Sequence, residues 1–307
     1  MASTRIFKQW MVSTLFACAV LACALPDLKP FADATAQLHT SMVATNANVQ
    51  LGLSEAGAGE LAEAFRKELA VRIAAMEAVV VYTDALANIS AAGQNGGGGA
   101  ENLANSLNGF LGAISAPTMP SNYVAIAQSL FGIVATVRAE NSLAQATEKA
   151  DPAIQSIATT MTEDFHALEN VLRVSGRQIK TNLLLETSNN DIAGYRMALE
   201  KQRRQLETAM TMDRFDSAQV DQLREINTLI EMTRDRYEPL MAKVKAIEDR
   251  TALQVRIVQN LRNGLEQWAG IHNSLAENLK RGLPPNVRLI LATAIEIREL
   301  IKEENSK

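Results

Sequence analysis

From Ser217 to Arg281, apolar side chains recur at alternating intervals of three and four residues. One series runs Leu223, Ile230, Tyr237, Val244, Thr251, Val258, Leu265, His272 and Leu279; its companion runs Ile226, Thr233, Leu240, Ile247, Gln254, Leu261, Trp268 and Leu275. That spacing places both series on one stripe of an α-helix, the seam that a partner helix covers. Sustained over about eight heptads, it predicts a single packed rod of roughly 95 Å at a helical rise of 1.5 Å per residue. Pro239 lies inside this rod. The ladder keeps its phase across it, so the expectation there is a kink without a break.

The same periodicity predicts helices elsewhere. Leu28 to Leu53 carries Phe31, Leu38, Met42 and Val49 near one face, and Glu60 to Ala91 carries Leu61, Phe65, Leu69, Ile73 and Met76. Ala78 to Thr83 is strand-like by propensity, but it has helical flanks and no second strand to pair with, so it reads as helix. Asn95 and Gly96 to Gly99 read as a flexible loop. Helices are expected at Glu101 to Ser115, ended by Pro117 and Pro120, and at Asn122 to Thr147. Asp151-Pro152 has the signature of a helix start, with Asp as a cap and Pro in the first turn. The helix that follows weakens at Ser188-Asn189-Asn190, resumes at Ile192, and turns at Asp213 to Ser217 into the rod, against which it should lie antiparallel. Gly282-Leu283-Pro284-Pro285 stops the rod, and Val287 to Glu304 forms a last amphipathic helix.

The fold class expected is all-α: an elongated antiparallel helical bundle built on a long coiled-coil-like hairpin. Three regions follow: a leader over 1–22, an Ala/Gly-rich helical segment over 23–150 packing on the hairpin, and the hairpin with its C-terminal helix over 151–307. Most charges lie in the last region, near balance, as on the solvated faces of a long hairpin. With 5% aromatic residues the composition suits helices packed through small and aliphatic side chains. A net charge of −4 offers no basic field to nucleic acid.

The N-terminus carries the most specific signal. Arg5 and Lys8 precede an apolar run, Met11 to Ala22, which has signal-peptide length and is too short for a permanent span. Val20-Leu21-Ala22-Cys23 resembles the lipobox of bacterial lipoproteins, with Leu21 bulkier than the small residue usual there. Ala22-Cys23-Ala24 also fits ordinary signal-peptidase cleavage, after Ala24, which would give a secreted protein. The resemblance implies that Cys23 becomes the acylated first residue. With Ala24 and not Asp following it, it also implies sorting to the outer membrane, facing the periplasm. Such a lipid with several chains is a stable anchor. Cys18 and Cys23 are the only cysteines, so a chain starting at Cys23 has no disulfide.

Chemistry-bearing patterns are sparse. Glu163 and His166 form a Glu-x-x-His of the kind used by di-iron helical bundles, but those need a second such motif and two further Glu. His39 and His272 are the only other histidines and neither repeats it. Acids from other helices, such as Glu60, Glu63 or Asp249, are the one way to complete a metal site. His272, on the seam, reads as a polar register device or a rim residue. There is no Gly-x-Ser-x-Gly elbow, and the Gly96–Gly99 run lacks the Lys-Ser/Thr ending of a P-loop.

These observations point to a protein that is not an enzyme and uses no cofactor or metal: a lipid-anchored interaction or scaffold protein of the envelope. Its expected partners are the membrane, through Cys23, and an envelope protein, with a second copy of the chain as an open alternative. Two other readings compete. A membrane-shaping rod would resemble BAR-type domains, although those present a basic concave face. A pore-forming helical toxin would resemble the cytolysin A type, with Leu103 to Val137 as its apolar tongue.

Overall fold

Nine helices and no strand are present among the described residues of the computed structural model, which are 25–306 apart from 56, 115–120, 187–191 and 213–215. They are α1 Lys29–Glu55, α2 Gly59–Ala91, α3 Gly97–Ile114, α4 Ser121–Arg138, α5 Leu143–Glu186, α6 Ile192–Met212, α7 Ser217–Met232, α8 Arg234–Arg281 and α9 Arg288–Asn305. The all-α expectation holds, and Ala78 to Thr83 is helical, within α2. The expected weak point at Ser188 to Asn190, the first part of the turn from Asp213, Pro117 and Pro120, the leader, and Cys23 itself lie outside the described residues.

Helices α5 and α8 form the axis. They pack along their length in opposite directions, so that Glu148 meets Lys280, Glu169 meets Arg262 and Lys180 meets Glu248. α1 to α4, with α9, close a ring on this pair. α4 lies against α5, α3 against α4, α2 against α3, α1 against α2, and α1 returns to α8; α9 fills the groove between α1 and α8. The seam residues Val258, Leu261, Leu265 and Trp268 fill the ring's interior beside Phe31, Leu38, Met76, Tyr82, Leu103, Tyr123 and Phe165, none more than 2% exposed. Each such side chain contributes about 1.5–3 kcal/mol through burial. The helices approach closely where glycine allows it. A Cβ at Gly264 would sit 2.7 Å from Leu38 Cδ1, and one at Gly176 would overlap the Thr251 side chain.

Beyond the ring, α6 and α7 pack chiefly on each other. The ladder continues there, but Leu223 and Ile226 are only half-buried because one partner helix covers them instead of several. The rod is not continuous. Its helix is interrupted at Thr233, six positions before Pro239, and α8 runs through Pro239 unbroken. The Ile230 carbonyl accepts the Thr233 N–H at 3.3 Å at the interruption and gains further donors there. The Thr233 hydroxyl donates to it at 2.8 Å, and so does Arg196 from α6, which also donates to Thr233 Oγ1 at 3.1 Å. The same guanidinium stands 5.2 Å from the centre of the Tyr237 ring. An interruption whose carbonyl is capped by a buried hydroxyl and a cation is satisfied, which removes the penalty that would otherwise favour a straight helix.

Other boundaries differ from the sequence reading: the helix expected over Asn122 to Thr147 ends at Arg138, and Leu143 to Thr147 belong to the next one. Asp151-Pro152 does not start a helix: α5 begins at Leu143, where Ser142 Oγ accepts the Gln145 N–H at 3.2 Å, and Pro152 lies inside it. Burial of Leu143, Ala146, Thr147 and Ala150 carries the helix across position 150 and offsets the bond that Pro152 cannot donate. Gly97 to Gly99 are helical, opening α3, and the loop expected there shortens to residues 92–96. Gly282 ends α8 as expected, with φ +69° and the Leu283 N–H donating to the Asn278 carbonyl at 2.9 Å.

Candidate functional site

The seam position His272 stands at the centre of the ring. Its Nδ1 lies 2.7 Å from Asp151 Oδ1 of α5, and its Nε2 lies 2.8 Å from the Tyr82 hydroxyl of α2. A carboxylate accepts only, so Nδ1 carries a proton, and in the neutral ring Nε2 accepts from Tyr82. Gln155 Nε2 donates both to Asp151 Oδ1, at 3.1 Å, and to the Ala269 carbonyl, at 2.8 Å. Next to His272, Trp268 stacks on Phe31 with ring centres 6.1 Å apart, and its Nε1 donates to Thr35 Oγ1 at 3.1 Å. Burial, with the negative charge of Asp151 behind it, pushes the Tyr82 phenol far up. Desolvation also pushes Asp151 up, but the hydrogen bonds from His272 and Gln155 outweigh it and hold the carboxyl below its ordinary value.

Tyr82, His272 and Asp151 have the connectivity of an acid–base relay, but its accessibility argues against one. His272 is 1% exposed and Tyr82 is 1% exposed, so neither offers an atom to a substrate, and general acid–base catalysis needs hydrogen-bond reach to the reacting group. The chain of bonds ties α2, α5 and α8 together across the bundle. A second tie lies further along. Arg72 Nε of α2 donates to Asp164 Oδ2 of α5 at 3.1 Å, and the Tyr123 hydroxyl of α4 donates to the same oxygen at 3.0 Å. A third holds α5 to α8: buried Glu169 accepts from Arg262 Nη1 at 2.8 Å and from Gln259 Nε2 at 3.2 Å.

The Glu163/His166 pair sits on the outer face of α5, both side chains exposed, with His166 Nδ1 3.3 Å from Arg262 Nη1. Of the acids that could complete a site, Glu63 pairs with Arg66 and Lys67, and Asp249 pairs with Lys245. Among the described residues no three His, Cys, Asp or Glu side chains converge as metal ligands would. His39 is half-buried on α1 with its Nε2 enclosed and lacking a hydrogen-bond partner; desolvation lowers its basicity more than the Glu77 charge raises it.

Open surfaces lie away from the ring's centre. A half-open cleft of about 1300 Å³ forms where the α1–α2 turn faces α5 and α8, lined by Leu61, Ile179, Leu183 and Leu253 with Glu60, Lys243 and Arg250 among its polar groups. On the projecting arm, Tyr195, Met197 and Met232 are exposed at 46%, 60% and 74%. The bonds from Arg196 to Ile230 and Thr233 bring these three side chains to the same level of the arm. Periodicity could not single them out, because they fall off the seam. Leu103, Leu107, Phe110, Val134 and Val137, from the stretch considered as a toxin's tongue, are buried within the ring. Among the described residues no helix is long and apolar enough to cross a membrane. The chain matches no known protein family, no curated protein and no solved structure.

Proposed function

We propose that this chain is a cell-envelope lipoprotein, held at the outer membrane through Cys23 and facing the periplasm, that works by binding and without catalysis, cofactor or metal. The helical ring is its body, and the α6–α7 hairpin is the arm offered to a protein partner. One observation supports this reading most. Tyr195, Met197 and Met232 are large apolar side chains left in solvent on an arm that is otherwise densely charged. Aromatic and Met side chains are enriched at protein–protein contacts, and Tyr195 and Met197 flank Arg196 where it reaches Ile230 and Thr233, next to Met232.

Two measurements test it. Cys23→Ser should release the chain from the membrane fraction or leave its precursor uncleaved; unchanged processing and fractionation would remove the anchor and favour cleavage after Ala24. A photo-crosslinker at Asn227 in intact cells should trap one envelope protein, and Met197→Asp with Met232→Asp should abolish that product while the helix content of the chain is retained. An identical crosslinking pattern in the double variant would take the arm out of partner binding.

A further inference from the structure

We infer that the end of the ring where the described chain begins is the face turned to the bilayer, resting on the assignment of the lipid to Cys23, so that the arm points away from the membrane. The tether is short. Leu25 packs against the core, Pro26 is buried with its carbonyl accepting the Ser90 hydroxyl, and Leu28 is 1% exposed. Only Ala24 separates Cys23 from Leu25. Two extended residues span at most about 7 Å between Cα atoms, so a lipid on Cys23 holds this end of the body beside the headgroups.

The surface at that end suits the position. Three turns meet there: residues 92–96, 139–142 and 282–286, the first joined to the start of α5 by the Leu143 N–H donating to the Asn95 carbonyl at 3.2 Å. These turns carry a single ionisable side chain, Glu140, and the charges that bound them, Arg138, Arg281 and Arg288, are cations on long stems that can reach the phosphates of the headgroups. Leu283 is 49% exposed, with Pro284 exposed beside it. The arm differs: α6 holds Arg196, Glu200, Lys201, Arg203, Arg204 and Glu207, and α7 holds Asp221, Arg224, Glu225 and Glu231. Bringing charges against a low-dielectric layer costs several kcal/mol per ion left unpaired, a cost that the turns avoid and the arm would incur. α8 ends at this face and has 48 residues, so its start beside Thr233 stands roughly 70 Å away.

The test uses the full chain, exported and purified from membranes, then reconstituted in phosphatidylcholine vesicles. Because Cys18 and Cys23 are the only cysteines, a single introduced thiol gives a clean site for an environment-sensitive fluorophore. Labels at Asn95→Cys and Leu283→Cys should be quenched by doxyl-labelled lipid severalfold more than a label at Asn227→Cys on the arm. Mass spectrometry of the same preparation reports whether Cys23 is acylated. Equal quenching at all three sites, or stronger quenching at Asn227, in acylated protein overturns the orientation and leaves the anchor standing. A Cys23 without lipid overturns the anchor and the orientation together. A Gly/Ser linker of about twenty residues between Ala24 and Leu25, with a root-mean-square reach of roughly 25 Å, should abolish the quenching at Asn95 and Leu283 in acylated protein. Undiminished quenching with the linker would overturn the short tether as its cause.

Discussion

Asp151 and His272 are 121 positions apart in sequence and 2.7 Å apart in the fold. The bond fixes the register of α5 on α8, and the Tyr82 hydroxyl on the other ring nitrogen fixes α2 against both. A buried polar chain of this kind is costly when half-made, because the partner that remains cannot turn to water.

His272→Leu keeps most of the side-chain volume but strands the Tyr82 hydroxyl and removes a donor from Asp151. The expected loss is about 1–3 kcal/mol at neutral pH by chemical denaturation. Adding Tyr82→Phe should recover part of it, since the stranded hydroxyl is then gone. A double variant that loses at least the sum of the two single losses would show that the three groups are not coupled as described.

Leu261 is 1% exposed on the seam. Leu261→Ala should cost about 2–5 kcal/mol, with little relief from repacking in so crowded a ring. The proper reference is the exposed Asn263 and not Arg262, whose guanidinium holds the buried Glu169. Equal melting temperatures for Leu261→Ala and Asn263→Ala would place the seam in solvent.

The seam was legible because burial on one stripe leaves a period, and Val258, Leu261, Leu265 and Trp268 all occupy the interior it predicts. Features set by distant partners left no such trace. Asp151 resembles a cap when read with Pro152, yet its partner is His272, and the helix around it starts where Ser142 supplies the cap. Pro239 is the irregularity visible in the sequence of the rod, but the interruption falls at Thr233, where Arg196 of another helix adds a donor to the Ile230 carbonyl. The ring itself was not readable. Period tells which face of a helix is covered, and nothing in it says that α1 covers α8. The unspent apolar residues of the arm are visible only once the seam has been subtracted in three dimensions.

Arg196→Ala should loosen the interruption without unfolding the body. Amide exchange should rise several-fold at residues 228–240, while the global denaturation midpoint shifts little, since the arm contributes few buried contacts. Unchanged exchange in that segment would assign the cap to Thr233 alone.

His39 predicts a pH dependence. Burial depresses its folded pKa below the ordinary 6.5, so the unfolded chain binds the proton more readily. Its contribution to stability is therefore complete above that value and declines as the pH falls toward the folded pKa. His39→Leu should flatten the fall in stability as the pH drops below about 6.5; a profile as steep as that of the wild-type chain would assign the slope to other groups.

The Trp268 indole donates to Thr35 across 233 positions of sequence, and through that contact α8 closes the ring on α1. α1, the earliest of the described helices, thus meets α8 and α9, two of the three helices that pack on it, only after the chain has passed through most of α8. Contacts of such long range form late, because loop closure is paid before they reward it. Until then the apolar stripes of α1 and α2 have an open flank, the condition under which chains associate wrongly. Assembly is therefore paced by the arrival of the chain's last third, and a truncation before residue 253 would leave the early helices without a finished interior.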